Sequence, residues 1–60
     1  MLPALALARH IGATAAAALL GVTVERYRAW ASGVIATPDG TDLLIRQELG
    51  RLRRAEDGEG

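Results

Sequence analysis

The sequence predicts an all-α domain, a small four-helix unit without strands, and three observations predict it. Half of the 60 residues are hydrophobic, yet twelve of these are Ala and nine are Leu, and Phe is absent. Such a core suits thin, closely packed helices, and Ala and Leu rank high in helix propensity. Apolar residues recur three and four apart, the helical spacing. Pro3, Gly12, Gly21, Gly33 and Pro38 divide the chain into segments of helical length.

A chain of this size buries a limited share of its surface. With no Cys there is neither a disulfide nor a Cys-based metal site, and one His cannot make a metal centre unaided. The core must come from packing, from self-association, or from both. Formal net charge is zero and the pI is near 6.5, which argues against a strongly basic nucleic-acid binder. The charge is unevenly spread. Residues 1–54 hold all seven Arg and four acids, a net of +3, and the last six hold Glu56, Asp57 and Glu59. Lys is absent, so every cation is a planar guanidinium fork suited to phosphate and guanine. Residues 1–24 are largely apolar, but no cation precedes the run and Arg9-His10 interrupt it. They read as neither a signal peptide nor a membrane span, and a cytoplasmic location without membrane contact is the expectation.

Pro3 opens the first helix, since its missing N–H costs nothing in the first turn. That helix runs Pro3–Ile11, with Leu2, Leu5, Ile11, Ala4 and Ala8 expected along one face and Leu7 flanking it. Arg9 and His10 fall in its last turn, where cations favour the helix dipole. The second helix, Ala13–Leu20, is alanine-rich, with Ala16, Leu19, Leu20 and Val22 expected inward. Gly21 can take the positive φ that ends a helix sharply. Thr23 is a good N-cap, and a third helix spans about 24–31 before Ser32-Gly33. With Tyr27 at zero and about 100° per residue, Trp30, Thr23 and Ala31 share its buried side. Glu25, Ala29 and Ser32 point away, Arg26 and Arg28 lie on the flanks, and Val24 sits at the margin.

Two helices joined by a three-residue turn containing glycine form a helix-turn-helix. Ala17, Leu19, Leu20, Gly21, Val22, Thr23, Tyr27, Trp30 and Gly33 resemble the pattern of the phage-repressor/Cro-like (Xre-like) helix-turn-helix family. Ala13 stands where many members carry Gln, and Gly12 replaces the usual Ser or Thr cap. The motif covers 12–33. The resemblance implies a small prokaryotic or phage regulator that often represses its own operon, of the kind encoded beside anti-CRISPR genes or acting as an antitoxin.

Gly33–Gly40 connects the motif to the last helix. In it Val34 and Ile35 plug the core or reach a partner chain. Thr37-Pro38-Asp39 reads as a helix start, with Thr41-Asp42 as a second candidate. The last helix spans about 38–54, and Leu44, Ile45, Leu49 and Leu52, with Leu43 adding width, form a stripe wider than one thin helix pair needs. Gly50 within it costs about 1 kcal/mol against Ala. Residues 1–54 thus form the domain, with 55–60 as a disordered acidic tail.

No constellation supports catalysis, and neither a cofactor nor a small-molecule substrate is implied. Asp39 and Asp42, at a helix start, read as capping residues rather than as metal ligands. The leading expectation is a sequence-specific transcriptional repressor that binds double-stranded DNA at an inverted-repeat operator as a homodimer. A small, charged outward face on the third helix is what entry into a major groove requires. Arg28 is the first candidate base reader, followed by Arg26; Glu25 accepts from cytosine N4 or orients Arg28; Ala29 and Val24 complete the reading face. Thr23, Ala13, Thr37 and Arg9 are candidate phosphate contacts. Leu44, Ile45, Leu49, Leu52, Val34 and Ile35 are the candidate dimer interface. The alternative is a protein-interaction module, an antitoxin or adaptor without DNA binding, that uses the stripe of the last helix.

Overall fold

Alternating short helices and glycine breaks turn the chain back on itself three times. The computed structural model describes residues 1–58. It contains α1 (Pro3–Ile11), α2 (Ala13–Leu20), α3 (Val24–Ser32) and α4 (Asp39–Gly58), with no strand among the described residues. The all-α expectation holds. α1 is the hub: it packs against the other three helices, and α2 also packs against α3.

Pro3 occupies the first turn of α1, and the break after Ile11 belongs to Gly12. Its φ of 88° and ψ of 151° lie in a region essentially reserved for glycine. Its N–H bonds to Ala8 O at 2.8 Å and its carbonyl accepts from Ala16 N at 3.0 Å. One residue therefore closes α1, opens α2 and bends the chain by 115°. A Cβ there would meet nothing within 4 Å, so the requirement is conformational and not one of space.

The core mixes small and large side chains. Ala4, Ala16, Ala17 and Ala31 let the helices approach, while Leu7, Tyr27, Trp30, Ile45 and Leu49 supply the bulk. Tyr27 is fully buried and donates its hydroxyl to Ala4 O at 2.7 Å, which ties α3 to the backbone of α1. Its ring meets Trp30 edge-on, with centroids 6.2 Å apart. Burial pushes the Tyr27 phenol above its ordinary pKa.

Several expected faces are corrected. In α1, Ala4 and Leu7 are buried while Leu2 and Leu5 are exposed. Ala4 lies at the face that packs on the other helices, where the Tyr27 hydroxyl reaches its carbonyl. In α2, Ala16 and Ala17 face inward, and Leu19 is 57% exposed. In α4, Ile45 and Leu49 are buried within their own chain, so that part of the stripe is covered, while Leu43 and Leu44 stay exposed. The helix starts at Asp39, with Asp42 N bonded to Pro38 O at 2.8 Å, and continues past Arg54 to Gly58. Ala55 and Glu56 are adequate helix formers, and Glu56 lies 3.6 Å from His10 on α1. Residues 55–58 are therefore helical; Glu59 and Gly60, the rest of the expected tail, lie outside the described residues. No single helix among the described residues is long and apolar enough to cross a membrane.

Candidate nucleic-acid interface

The corner between α2 and α3 is closed by local hydrogen bonds. Gly21 adopts the left-handed conformation at φ 70° and ψ 31°. Val22 N bonds to Ala17 O at 3.0 Å and Gly21 N to Ala18 O at 3.2 Å, the paired bonds of a Schellman ending. Val22 packs against the core. The Thr23 hydroxyl accepts from Arg26 N at 3.1 Å and caps α3. These local contacts shape the entry into α3, and the bond from Tyr27 to Ala4 O on α1 anchors it.

Tyr27, Trp30 and Ala31 then bury one side of α3. Glu25, Arg26, Arg28 and Ser32 are exposed, Ala29 is half-buried, and Val24 packs against the core, which leaves it little surface to offer a ligand. The ion pairs among the described residues are Asp42–Arg46 at 2.7 Å, Glu48–Arg51, and His10–Glu56 if the histidine is protonated. Arg26 and Arg28 thus have no carboxylate partner among the described residues, and Glu25 does not orient Arg28 through an ion pair.

Arg26, rather than Arg28, borders a shallow depression of about 310 Å³ on this face, lined also by Thr23, Glu25, Ala29 and Ile35. Ile35 enters it because its N–H bonds back to Ala29 O at 3.3 Å. The sequence placed Ile35 at a dimer surface; nothing in its local pattern separates it from Val34, which is 80% exposed and lies outside the depression. Among the candidate phosphate contacts, Thr23 and Arg9 are exposed, while Ala13 and Thr37 are half-buried. The first turn of α2 carries no side-chain cap.

The candidate dimer residues separate. Ile45 and Leu49 are core, Leu52 packs partly against it, and Leu44 is 55% exposed. Leu44 lines a small depression with Leu7, Leu19, Leu20, Gln47 and Glu48, between the end of α2 and α4. Leu43, beside it in sequence, is also exposed. Among the described residues, no group of three or more His, Cys, Asp or Glu side chains is placed to hold a metal ion. Comparison with protein-family models, with curated proteins and with solved structures finds no match.

Proposed function

We propose that the chain is a sequence-specific DNA-binding regulator of the helix-turn-helix kind, acting as a homodimer on an inverted repeat, and that it represses transcription. The observation that carries this reading is α3 itself. It is fixed at a glycine-closed corner, buries Tyr27 and Trp30, and presents Arg26 and Arg28 without carboxylate partners. A helix with a small, charged outward face can enter the major groove, where arginine binds guanine O6 and N7 through two hydrogen bonds. The uncapped first turn of α2 leaves its amides for a phosphate. With Ile45 and Leu49 buried, the dimer surface is assigned to Leu44, Leu43 and Leu19, the exposed leucines at and beside the depression between α2 and α4.

The test begins with selection of duplexes from a random library, followed by binding of single-base variants at two salt concentrations. Arg28→Ala should cost about 1–3 kcal/mol and relax preference at one position of each half-site. Arg26→Ala should weaken binding, and a pure phosphate role would show as an equal loss on all sequences with a salt slope flatter by about one unit per site. Half-sites should lie about 34 Å apart, one helical turn. If both variants bind every duplex like the parent, α3 does not read DNA. The exposed leucines favour a second reading, a protein-interaction module without DNA binding. Failure to recover any duplex, together with a leucine-dependent protein complex, would establish that one.

A further inference from the structure

We infer that Ile35 is a base-reading residue whose side chain, beside the methyl of Ala29, contacts the C5-methyl group of a thymine in the major groove. The inference rests on the reading of α3 as the groove-entering helix and names a specificity contact within it.

Three observations place the contact. The chain leaves α3 at Gly33 but does not leave its surface, because Ile35 N returns to Ala29 O at 3.3 Å. The Ile35 side chain is 49% exposed and is not one of the hydrophobic side chains packed on the core, so burial does not account for its place. It lines the outward depression with Ala29, while Thr23, Glu25 and Arg26 supply the polar lining. A small apolar spot beside a hydroxyl, a carboxylate and a guanidinium matches a base edge in a duplex, which presents apolar, donor and acceptor groups side by side. Thymine is the base that presents an apolar group in the major groove, and apolar side chains recognise it there. Arg26 on the same depression can take the adjoining phosphate or guanine. Exposure alone would not select Ile35, since Val34 is more exposed and lies outside the depression.

The experiment uses a duplex selected from a random library, resynthesised with each dT replaced in turn by dU, which removes only the methyl group. At one position per half-site the full chain should lose about fourfold in affinity, the equivalent of about 0.8 kcal/mol for one buried carbon. Ile35→Ala should bind the dT duplex about as weakly as the parent binds the dU duplex, and should be indifferent to the exchange at that position. Ile35→Val should keep most of the preference. Thermal melting of each variant by circular dichroism separates loss of contact from loss of fold. If the parent ignores every dT-to-dU exchange, or if Ile35→Ala weakens binding while keeping the parent's sensitivity at every position, the inference is overturned and the DNA-binding reading stands. If no duplex is recovered at all, that reading falls and the inference with it.

Discussion

The α2–α3 corner and α4 hold their helices in place by different means. α3 is nine residues long, capped at its start by Thr23 and closed by Gly33, and anchored by Tyr27 and Trp30. α4 is twenty residues long, about 30 Å at 1.5 Å per residue, in a molecule whose shorter extents are 20 Å. Of the other helices it packs chiefly on α1, through Ile45 and Leu49. The corner sets the geometry of a presented face, and disturbing it redirects that face. α4 is a longer element held along one side, and its surface tolerates more change. Substitutions that look alike should therefore behave differently in the two regions.

Aromatic truncation in α3 gives the largest expected effect. Trp30→Ala should cost about 3–5 kcal/mol, a large share of the stability of a domain this small, whereas Leu52→Ala on α4, half-buried, should cost about 1–2 kcal/mol. Urea denaturation of both variants measures the contrast. Equal losses would break it.

Glycine to alanine should change sign between the α1–α2 bend and α4. Gly12→Ala should destabilise by about 1–3 kcal/mol, the strain of forcing an L residue into this backbone conformation. Gly50→Ala should stabilise by about 0.5–1 kcal/mol, because it replaces glycine in a helix interior. The new Cβ would meet only Arg54 Nη1, at 3.2 Å, the far end of a flexible, exposed side chain. Thermal melting decides, and a stabilising Gly12→Ala would contradict the described bend.

Tyr27→Phe should cost about 1 kcal/mol, the net worth of one hydrogen bond. It should also change the alkaline limb of the stability curve. The folded-state phenol titrates above its ordinary value near 10, so its contribution is full below pH 10 and is lost as pH rises through the folded-state pKa. A stability-versus-pH series should fall above about pH 10 in the parent and fall less in Tyr27→Phe.

The smallest effect belongs to the exposed pair on α4. The hydrogen bond from Arg51 holds the Glu48 carboxyl below its usual range. Its contribution is present above the ordinary glutamate pKa and is lost as pH falls through the lowered value. Glu48→Gln should barely move the melting temperature at neutral pH, as exposed ion pairs contribute little. A drop as large as that of Tyr27→Phe would show α4 to depend on its surface.

The same contrast explains what could be read in the sequence. Gly21, Val22, Thr23, Tyr27 and Trp30 act over a span of ten residues, so the turn, the cap and the burial of Tyr27, Trp30 and Ala31 follow from local chemistry, while Thr23, expected on the buried side, is exposed at the cap. The exposure of Glu25, Arg26 and Arg28 follows from the same periodicity. The buried side of α1 was not legible, because it is set by packing against three other helices, contacts as remote as that between Tyr27 and Ala4, 23 positions apart. Ile45 and Leu49 looked available to a partner because a stripe on one helix does not say which helix covers it. The extension of α4 to Gly58 is hidden in a polar, acidic stretch, where the helix propensity of Ala55 and Glu56 prevails. The return of Ile35 N to Ala29 O was not legible, because the path of a connector after a glycine has no periodic signature.

The bend at Gly12 also governs what else the first third of the chain could become. Residues 3–20 drawn out as one straight helix would form a rod about 27 Å long, apolar except at Arg9 and His10 and close in length to the thickness of a bilayer's hydrocarbon layer. Folded at Gly12, the two halves turn Ala4, Leu7, Ala16 and Ala17 onto one interior. A single backbone conformation thus separates two fates for the same stretch, a corner in a packed domain or a greasy rod in search of lipid or of its own kind. Variants that straighten Gly12 should be recovered in aggregates or with membranes more often than variants of equal instability elsewhere, and fractionation after expression would expose that bias.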